Sequence, residues 1–268
     1  MLKKITLCLA LIALTLSAFA ADRELPFRAG EKFDLRMTYK WGGVQKDVGY
    51  AHVQLDSFSF RSSPTYYAQF IARTSQFFDT FYKIREHYHS WFDAGDLRPR
   101  RFIRETLEGK YSAYNLYEYD WSRRVIRAEV NMNKPKSTMM EIPIRKEAYD
   151  LPALIYHIRT MDPAKMRNGQ KIPLTFAIDD GVFDVVMTFH GKQNLKIRKV
   201  GTMETYHFTC NVVDGALFEG NKELEFWLSA DGNHLPVAVM APLRVGAVWA
   251  WFKKAEGLKY PLALVPAS

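Results

Sequence analysis

The sequence is poor in cysteine, with two among 268 residues. One of them, Cys8, lies within the first twenty residues, so removal of that segment leaves Cys210 alone. A lone cysteine makes no intramolecular disulfide, and the fold has to stand on its core even in an oxidising compartment. The catalytic signatures are also missing. There is no G-x-S-x-G elbow, no G-x-x-x-x-G-K-S/T loop, no G-x-G-x-x-G fingerprint, no H-E-x-x-H and no C-x-x-C. These absences exclude the common motif-bearing hydrolases, nucleotide enzymes, zincins and thiol oxidoreductases. No catalytic residue, metal or cofactor is assigned. Proline, glycine and serine nowhere cluster into a linker, so nothing divides the chain into separate units. Disorder is excluded by a composition of 48% hydrophobic and 25% charged residues.

What is present begins with the N-terminus. Lys3 and Lys4 precede an apolar stretch from Ile5 to Leu16, which is 12 residues long. A bilayer core needs about 20 residues to cross, so the stretch is too short for a span. Ala18-Phe19-Ala20 places small residues at the first and third positions. Residues 1–20 therefore read as a secretory signal peptide cleaved before Ala21. The expected location is outside the cytoplasm, in the periplasm. Cleavage takes two lysines and no acid, lowering the net charge from +8 to +6. Such a charge permits nucleic acid, but export argues against it, and no nucleic-acid partner is expected.

The rest of the chain alternates. Phe33, Leu35, Met37 and Tyr39 point one way, and Asp34, Arg36, Thr38 and Lys40 the other, as in a strand with one wet face. Gly42-Gly43 marks a turn, and Ala51, Val53 and Leu55 resume the apolar face. The spacing recurs at Ile172, Leu174, Phe176 and Ile178, and at Phe183, Val185, Met187 and Phe189. Asp179-Asp180-Gly181 between these runs is a hairpin turn in which Gly181 is expected to take the positive φ. Leu195 and Ile197 read as a separate, shorter strand. Tyr206, Phe208, Cys210 and Val212 share one face, which predicts a buried, inert thiol. About 14 strands are expected, at turn intervals typical of sheets that fold on themselves.

One segment breaks this period. Leu151, Leu154, Ile155, Ile158 and Met161 recur at three- and four-residue steps. Asp150 caps the resulting helix, Pro152 fits its first turn, and its end is expected near Asp162-Pro163. A helix near 150–162, between strand-rich halves at 27–148 and 168–262, predicts a plug or lid. The expected fold is all-β with one short helix: a large antiparallel meander forming a barrel or strongly curved half-barrel. Residues 21–268 are expected to make a single domain. A weak echo links the segment Trp91 to Pro99 with the segment Trp227 to Pro236. Each reads as a strand ending in an aromatic, an Asp/Gly turn, and a Leu and Pro opening the next strand.

The densest polar constellation runs from Arg85 to Asp93. On a strand, His87, His89, Trp91 and Asp93 face one side. Two histidines at i and i+2 can ligate a metal, but His87 and Asp93 lie about 20 Å apart along an extended strand. A metal would need ligands from elsewhere, such as His52 or His190, so the row reads as a half-wet strand face or as a polar ligand contact with Trp91 as platform. Arg98, Arg100 and Arg104 share a face, with Arg101 opposite, and Arg123, Arg124 and Arg127 follow later. If those segments are neighbours they form a cationic surface for phosphate or carboxylate groups. The candidate ligand-binding residues are therefore His87, His89, Trp91, Arg98, Arg100 and Arg104. The 14 Tyr, 18 Phe and 6 Trp, Trp249 and Trp251 among them, often fall on strands that look apolar on both faces and need cover on both sides.

Phe27-Arg28-Ala29-Gly30-Glu31, the first hairpin, the helix beginning at Asp150 and the hairpin from Trp227 to Pro236 resemble a family of uncharacterised exported bacterial proteins, the domain of unknown function 3108. The resemblance implies a large antiparallel β structure of the YmcC-like kind. That shape is analogous to the periplasmic lipoprotein carriers LolA and LolB, in which a curved sheet with an internal helix encloses an apolar cavity. It implies no catalytic residues. The expected function is a non-catalytic envelope protein that binds an amphipathic or anionic ligand: a lipid, lipopolysaccharide or an acidic glycan, with peripheral contact to the membrane. Two alternatives remain: an interaction module with a filled interior and a working outer surface, and a hydrolase of envelope polymers around His87, His89 and Asp93. An aromatic cavity with an arginine rim would favour the first of the three readings.

Overall fold

The alternation at residues 33–39 builds the first strand, β1 (Lys32–Trp41), with Phe33, Leu35 and Met37 buried. The structure is a computed structural model and describes residues 24–211, 223–243 and 245–266. The expected leader at residues 1–20 and Val212 lie outside those residues. After β1 the chain runs through β2 (Val44–Phe60), β3 (Ser63–Thr74), a single helical turn α1 (Gln76–Asp79), β4 (Ile84–Asp93) and β5 (Pro99–Glu108). β6 (Tyr111–Asp120), β7 (Val125–Met132) and β8 (Thr138–Pro143) complete the first wing. The helix α2 (Leu151–Arg159) follows, and then β9 (Lys171–Ile178), β10 (Gly181–Ile197) and β11 (Gly201–Asn211). β12 (Glu223–Ser229), β13 (Pro236–Pro242), β14 (Ala247–Glu256) and the short β15 (Leu264–Val265) end the chain.

All these strands join one antiparallel sheet in the order β8-β7-β6-β5-β4-β3-β2-β1-β14-β13-β12-β11-β10-β9, with β15 on β11. Both wings are plain meanders, and the pairing of β1 with β14 joins them. The sheet is strongly curved and open. Its two free edges, β8 and β9, are consecutive in the chain, and the helical segment lies between them. One residue spans the gap: Tyr149 donates its N–H to Thr175 O at 3.1 Å and accepts from Ala177 N–H at 2.8 Å. Because the strands alternate in direction, the connections β1–β2, β3–β4, β5–β6, β7–β8, β9–β10 and β13–β14 gather at one rim, the front rim. The connections β2–β3, β4–β5, β6–β7, β10–β11 and β12–β13 gather at the back rim.

The helix starts where its cap predicts. The Asp150 carboxylate accepts from Ala153 N–H at 2.9 Å, and Pro152 occupies the first turn. The helix ends at Arg159, earlier than Asp162, and a 3-10 turn Pro163–Lys165 follows. Ala153, Leu154, Tyr156 and Ile158 pack on the inner face of both wings, against Leu55, Ala68 and Phe92 on one and Leu174, Met187, Phe208 and Leu228 on the other. Phe27 closes over this plug, edge-on to Tyr156 with ring centroids 4.8 Å apart. Burial of α2 is completed by a charge pair. Arg159, fully buried, donates to both oxygens of fully buried Glu31 at 2.5 and 2.7 Å and to Asn233 O at 3.1 Å.

Two local expectations are corrected. The runs ending at Phe189 and at Ile197 are one strand, β10, bent by a bulge between Phe189 and Lys192. Gly191 sits there at φ +95°, where no larger residue is comfortable. In the β9–β10 hairpin the positive φ belongs to Asp179, at 52°, and not to Gly181. Asp tolerates this conformation, and Asp179 is held in it by Arg104 and Tyr117. The two echoed hairpins are alike in the structure. Asp93 Oδ1 accepts from the Gly95 and Asp96 N–H groups, Asp231 Oδ1 accepts from Asn233 N–H, and Leu97 and Leu235 turn into the core.

Candidate functional site

On β4 the pleat sends Glu86, Tyr88, Ser90 and Phe92 inward and His87, His89, Trp91 and Asp93 outward. The outward row lies on the convex face. Register places Asp56, Tyr67, Trp91, Arg101, Glu118 and Arg127 side by side across strands β2 to β7. Tyr67 is the central platform. It packs on Trp91 at 4.9 Å and lies parallel to His89 at 6.0 Å, and its hydroxyl hydrogen-bonds His89 Nδ1 at 2.7 Å. Burial lowers the His89 pKa, so the ring is a neutral partner at pH 7. Phe58, 49% exposed, and the Arg101 guanidinium flank Trp91 on two sides. Beside this row a depression of about 310 Å³ opens between Arg61, Leu116, Glu118, Arg127, Glu129 and Met139.

The second wing carries a matching row. His190, His207, Trp227, Trp249 and Trp251 stack in sequence at centroid distances of 5.0, 4.7, 5.5 and 4.6 Å. They come from β10, β11, β12 and β14. On β13 the residue of the same face between Trp227 and Trp251 is Ala238, small enough for the indoles to lie over it, and Trp227 and Ala238 are buried in a core cluster with Phe33, Ile197 and Met203. Lys40 caps the stack, with Nζ 4.3 Å from the Trp249 ring centre.

The arginines do not assemble as expected. Arg104 faces inward and is buried, pairing with Asp179 at 2.6 Å, so it lies on the opposite side of the sheet from the outward histidine row. Arg100 pairs with Asp93 at 2.7 Å, and Arg98 pairs with Glu147. Arg123 pairs with Glu141 at 3.0 Å, and Arg127 lies 3.7 Å from Asp120. The expected cationic surface is thus a set of separate, neutralised ion pairs. The physical reason is pleat and register, which decide a side chain's neighbours and are not written in the spacing of arginines along the chain. Among the described residues no group of three His, Cys, Asp or Glu is placed to hold a metal. His52 and His190 are engaged elsewhere, with Asp34 at 2.7 Å and Thr209 at 2.9 Å. Cys210 is half-buried, and burial pushes its thiol up to about 11, which leaves it protonated and unreactive.

Sequence reasoning missed a polar network on the concave face. Glu86 accepts from Tyr88 Oη and from Thr106 Oγ1 at 2.8 Å, and Thr106 in turn accepts from Arg104 Nε at 2.8 Å. Glu108 lies against Glu86. Burial and the neighbouring Glu86 carboxylate push it up to about 8, so Glu108 keeps its proton at neutral pH. Chemically this network can hold a proton. Its groups are tied to one another and to Asp179 at the rim of the β9–β10 hairpin. The missed signal was the even-numbered series Glu86, Tyr88, Ser90: polar residues on the face whose next member, Phe92, is apolar.

Comparison with known proteins bears on the fold. The chain is similar to the β-barrel-like protein of domain of unknown function DUF1849 from Brucella abortus, at 10% identity and TM-score 0.56, covering 85% of this chain and 98% of that one. It also aligns with a candidate lipoprotein from Parabacteroides distasonis at 8% identity and TM-score 0.31, covering 87% and 98%. No curated protein matches. The curved antiparallel sheet shared with the Brucella protein accords with a match to a family model, a protein of unknown function, over residues 34–250, and the chain belongs to that family, DUF3108.

Proposed function

We propose that this protein is a non-catalytic component of the bacterial cell envelope that binds carbohydrate on its convex face. The leader-like N-terminus supports the location. The observation that carries the binding reading is the convex row of Phe58, Tyr67 and Trp91, open to solvent beside a shallow depression and flanked by Arg101, Arg61 and Glu118. Ring faces pack against the C–H faces of pyranoses, and charged and amide groups at their edges bond hydroxyls and carboxylates. A flat strip of this kind suits a polymer better than a small molecule, which needs enclosure. The interior, filled by Leu154, Tyr156 and Ile158 of α2, speaks against a carrier cavity for a lipid. Of the residues expected from the sequence to bind ligand, His89 and Trp91 belong to this row, and Tyr67 and Phe58 join them.

The test is affinity electrophoresis in gels containing the delipidated polysaccharide of lipopolysaccharide. Retardation of the wild type is expected, and Trp91→Ala and Tyr67→Ala should each weaken it about ten-fold, since ring platforms are worth roughly 1–3 kcal/mol. Unretarded wild type, or variants that migrate with it, would overturn the reading. So would a lipid recovered in stoichiometric amount from the purified protein.

A further inference from the structure

The exposed apolar side chains are concentrated at the front rim. Of ten large hydrophobics that are exposed among the described residues, Trp41, Val44, Phe77, Phe81, Tyr82 and Val245 lie there, on three separate connections. Phe77 and Phe81 are the extreme cases, at 68% and 73%. They project from the β3–β4 connection, where the rings of Phe77, Phe78 and Phe81 pack against one another at 5.3 to 6.3 Å. Two features hold this loop in place without covering the rings. Ser75 N–H donates to Val48 O at 2.8 Å, and Asp79 pairs with Arg85 at the loop's base. The β1–β2 hairpin, bearing Trp41 and Val44, and the β13–β14 turn, bearing Val245, stand beside it in the sheet order and are tied together by the Tyr39 hydroxyl, which donates to Val245 O at 3.0 Å.

The same rim is basic. Lys46, Lys83, Lys110, Lys134 and Lys136, on four of its connections, are exposed and form no ion pair among the described residues. Of the acids nearby, Asp47 pairs with Arg198 and Arg36, Asp79 with Arg85, and Asp179 with Arg104, while Asp180 is exposed and has no ion pair among the described residues. At the back rim, where Lys199 is exposed without an ion pair among the described residues, more of the cations are paired. Arg61, Arg98, Arg123 and Lys165 are each paired with a carboxylate.

We propose that the front rim docks on an anionic lipid bilayer, with Trp41, Phe77, Phe81 and Tyr82 entering the headgroup region and the unpaired lysines meeting lipid phosphates. A protein partner would favour one continuous apolar patch, whereas here the apolar tips are separate and interspersed with lysines, the arrangement that suits an interface with water above and acyl chains below. The charge complementarity belongs to the rim itself, not only to the net charge of the chain. The docking is independent of carbohydrate binding and would leave the convex face free above the membrane.

The test is flotation of the protein, freed of residues 1–20, with vesicles of phosphatidylcholine containing a third phosphatidylglycerol, in parallel with pure phosphatidylcholine. Binding to the anionic vesicles, weakened by added salt, is expected. Phe77→Ser/Phe81→Ser should weaken it at least ten-fold, and Lys83→Gln and Lys110→Gln about five-fold each. All four positions are exposed or loop-borne, so folding is retained, and a circular dichroism spectrum matching the wild type verifies it. Leu264→Ser, an exposed apolar change at the back rim, should leave flotation unchanged. Failure of the wild type to float with anionic vesicles, equal flotation of the front-rim variants, or an equal loss from Leu264→Ser would overturn the proposal. None of these outcomes affects the gel retardation that tests carbohydrate binding.

Discussion

Two buried acids make stability depend on pH. Asp150 is fully buried, and burial pushes its carboxyl up to about 7 although Ala153 N–H and Ser90 Oγ donate to it. Glu108 is pushed up to about 8 by burial and by Glu86. In the unfolded chain both titrate near pH 4. The folded state therefore keeps protons that the unfolded state has lost. The stability these groups contribute is fully present below about pH 4 and is lost as pH rises through 7 to 8. Urea midpoints should fall between pH 5 and 8, by an amount on the order of 2–4 kcal/mol, and Asp150→Asn/Glu108→Gln should flatten the profile. A profile in the double variant as steep as in the wild type would refute this account. The Glu31–Arg159 pair is the second residue-scale test. Arg159→Met leaves a buried carboxylate alone and should cost about 3–5 kcal/mol, while Glu31→Leu/Arg159→Met should recover part of that loss in denaturant unfolding. Neither acid was conspicuous in the sequence. Asp150 was legible as a cap, but its depth depends on Ser90 and on the strands around it.

At the scale of elements, the strands and the helix were legible because their periods differ, two against three to four residues. The helix was nevertheless read as a single apolar stripe. It is buried on more than that stripe, with Tyr156 and Arg159 also inside, because both wings enclose it. Tyr156→Ala should therefore act as a core truncation and cost about 3–5 kcal/mol in urea unfolding, far more than the loss of a half-exposed helix residue. The β10 bulge is a case where the sequence pattern misled. The polar residues around Gly191 look like a loop, but the ladder to β11 continues past them once one extra residue is accommodated. Gly191→Ala should cost about 1 kcal/mol from its φ of +95° alone, since an added Cβ meets open space.

At the scale of the molecule, the strand order couples the two wings. β1 pairs with β14 and α2 packs on both wings, so neither wing has a complete core of its own. A single unfolding transition is expected, with tryptophan fluorescence and far-ultraviolet circular dichroism superimposed along the urea axis. Two separated transitions would show that the wings fold as independent units. The same strand order decides the surfaces. It brings six of the exposed hydrophobics to the front rim and sets Tyr67 beside Trp91, and both outcomes depend on which strands are neighbours.

The sequence by itself determined the local periods, the helix cap, the turns and the membership of the strands, because each depends on residues close together in the chain. Tertiary structure alone decided that Arg98, Arg100, Arg104 and Arg123 each pair with a carboxylate, that the histidine row faces outward, that Glu108 keeps its proton beside Glu86 and that the helix packs inside the sheet. Those properties depend on cross-strand register and on the closure of two distant wings around one helix, and alternation along a strand is the same whichever strand lies beside it.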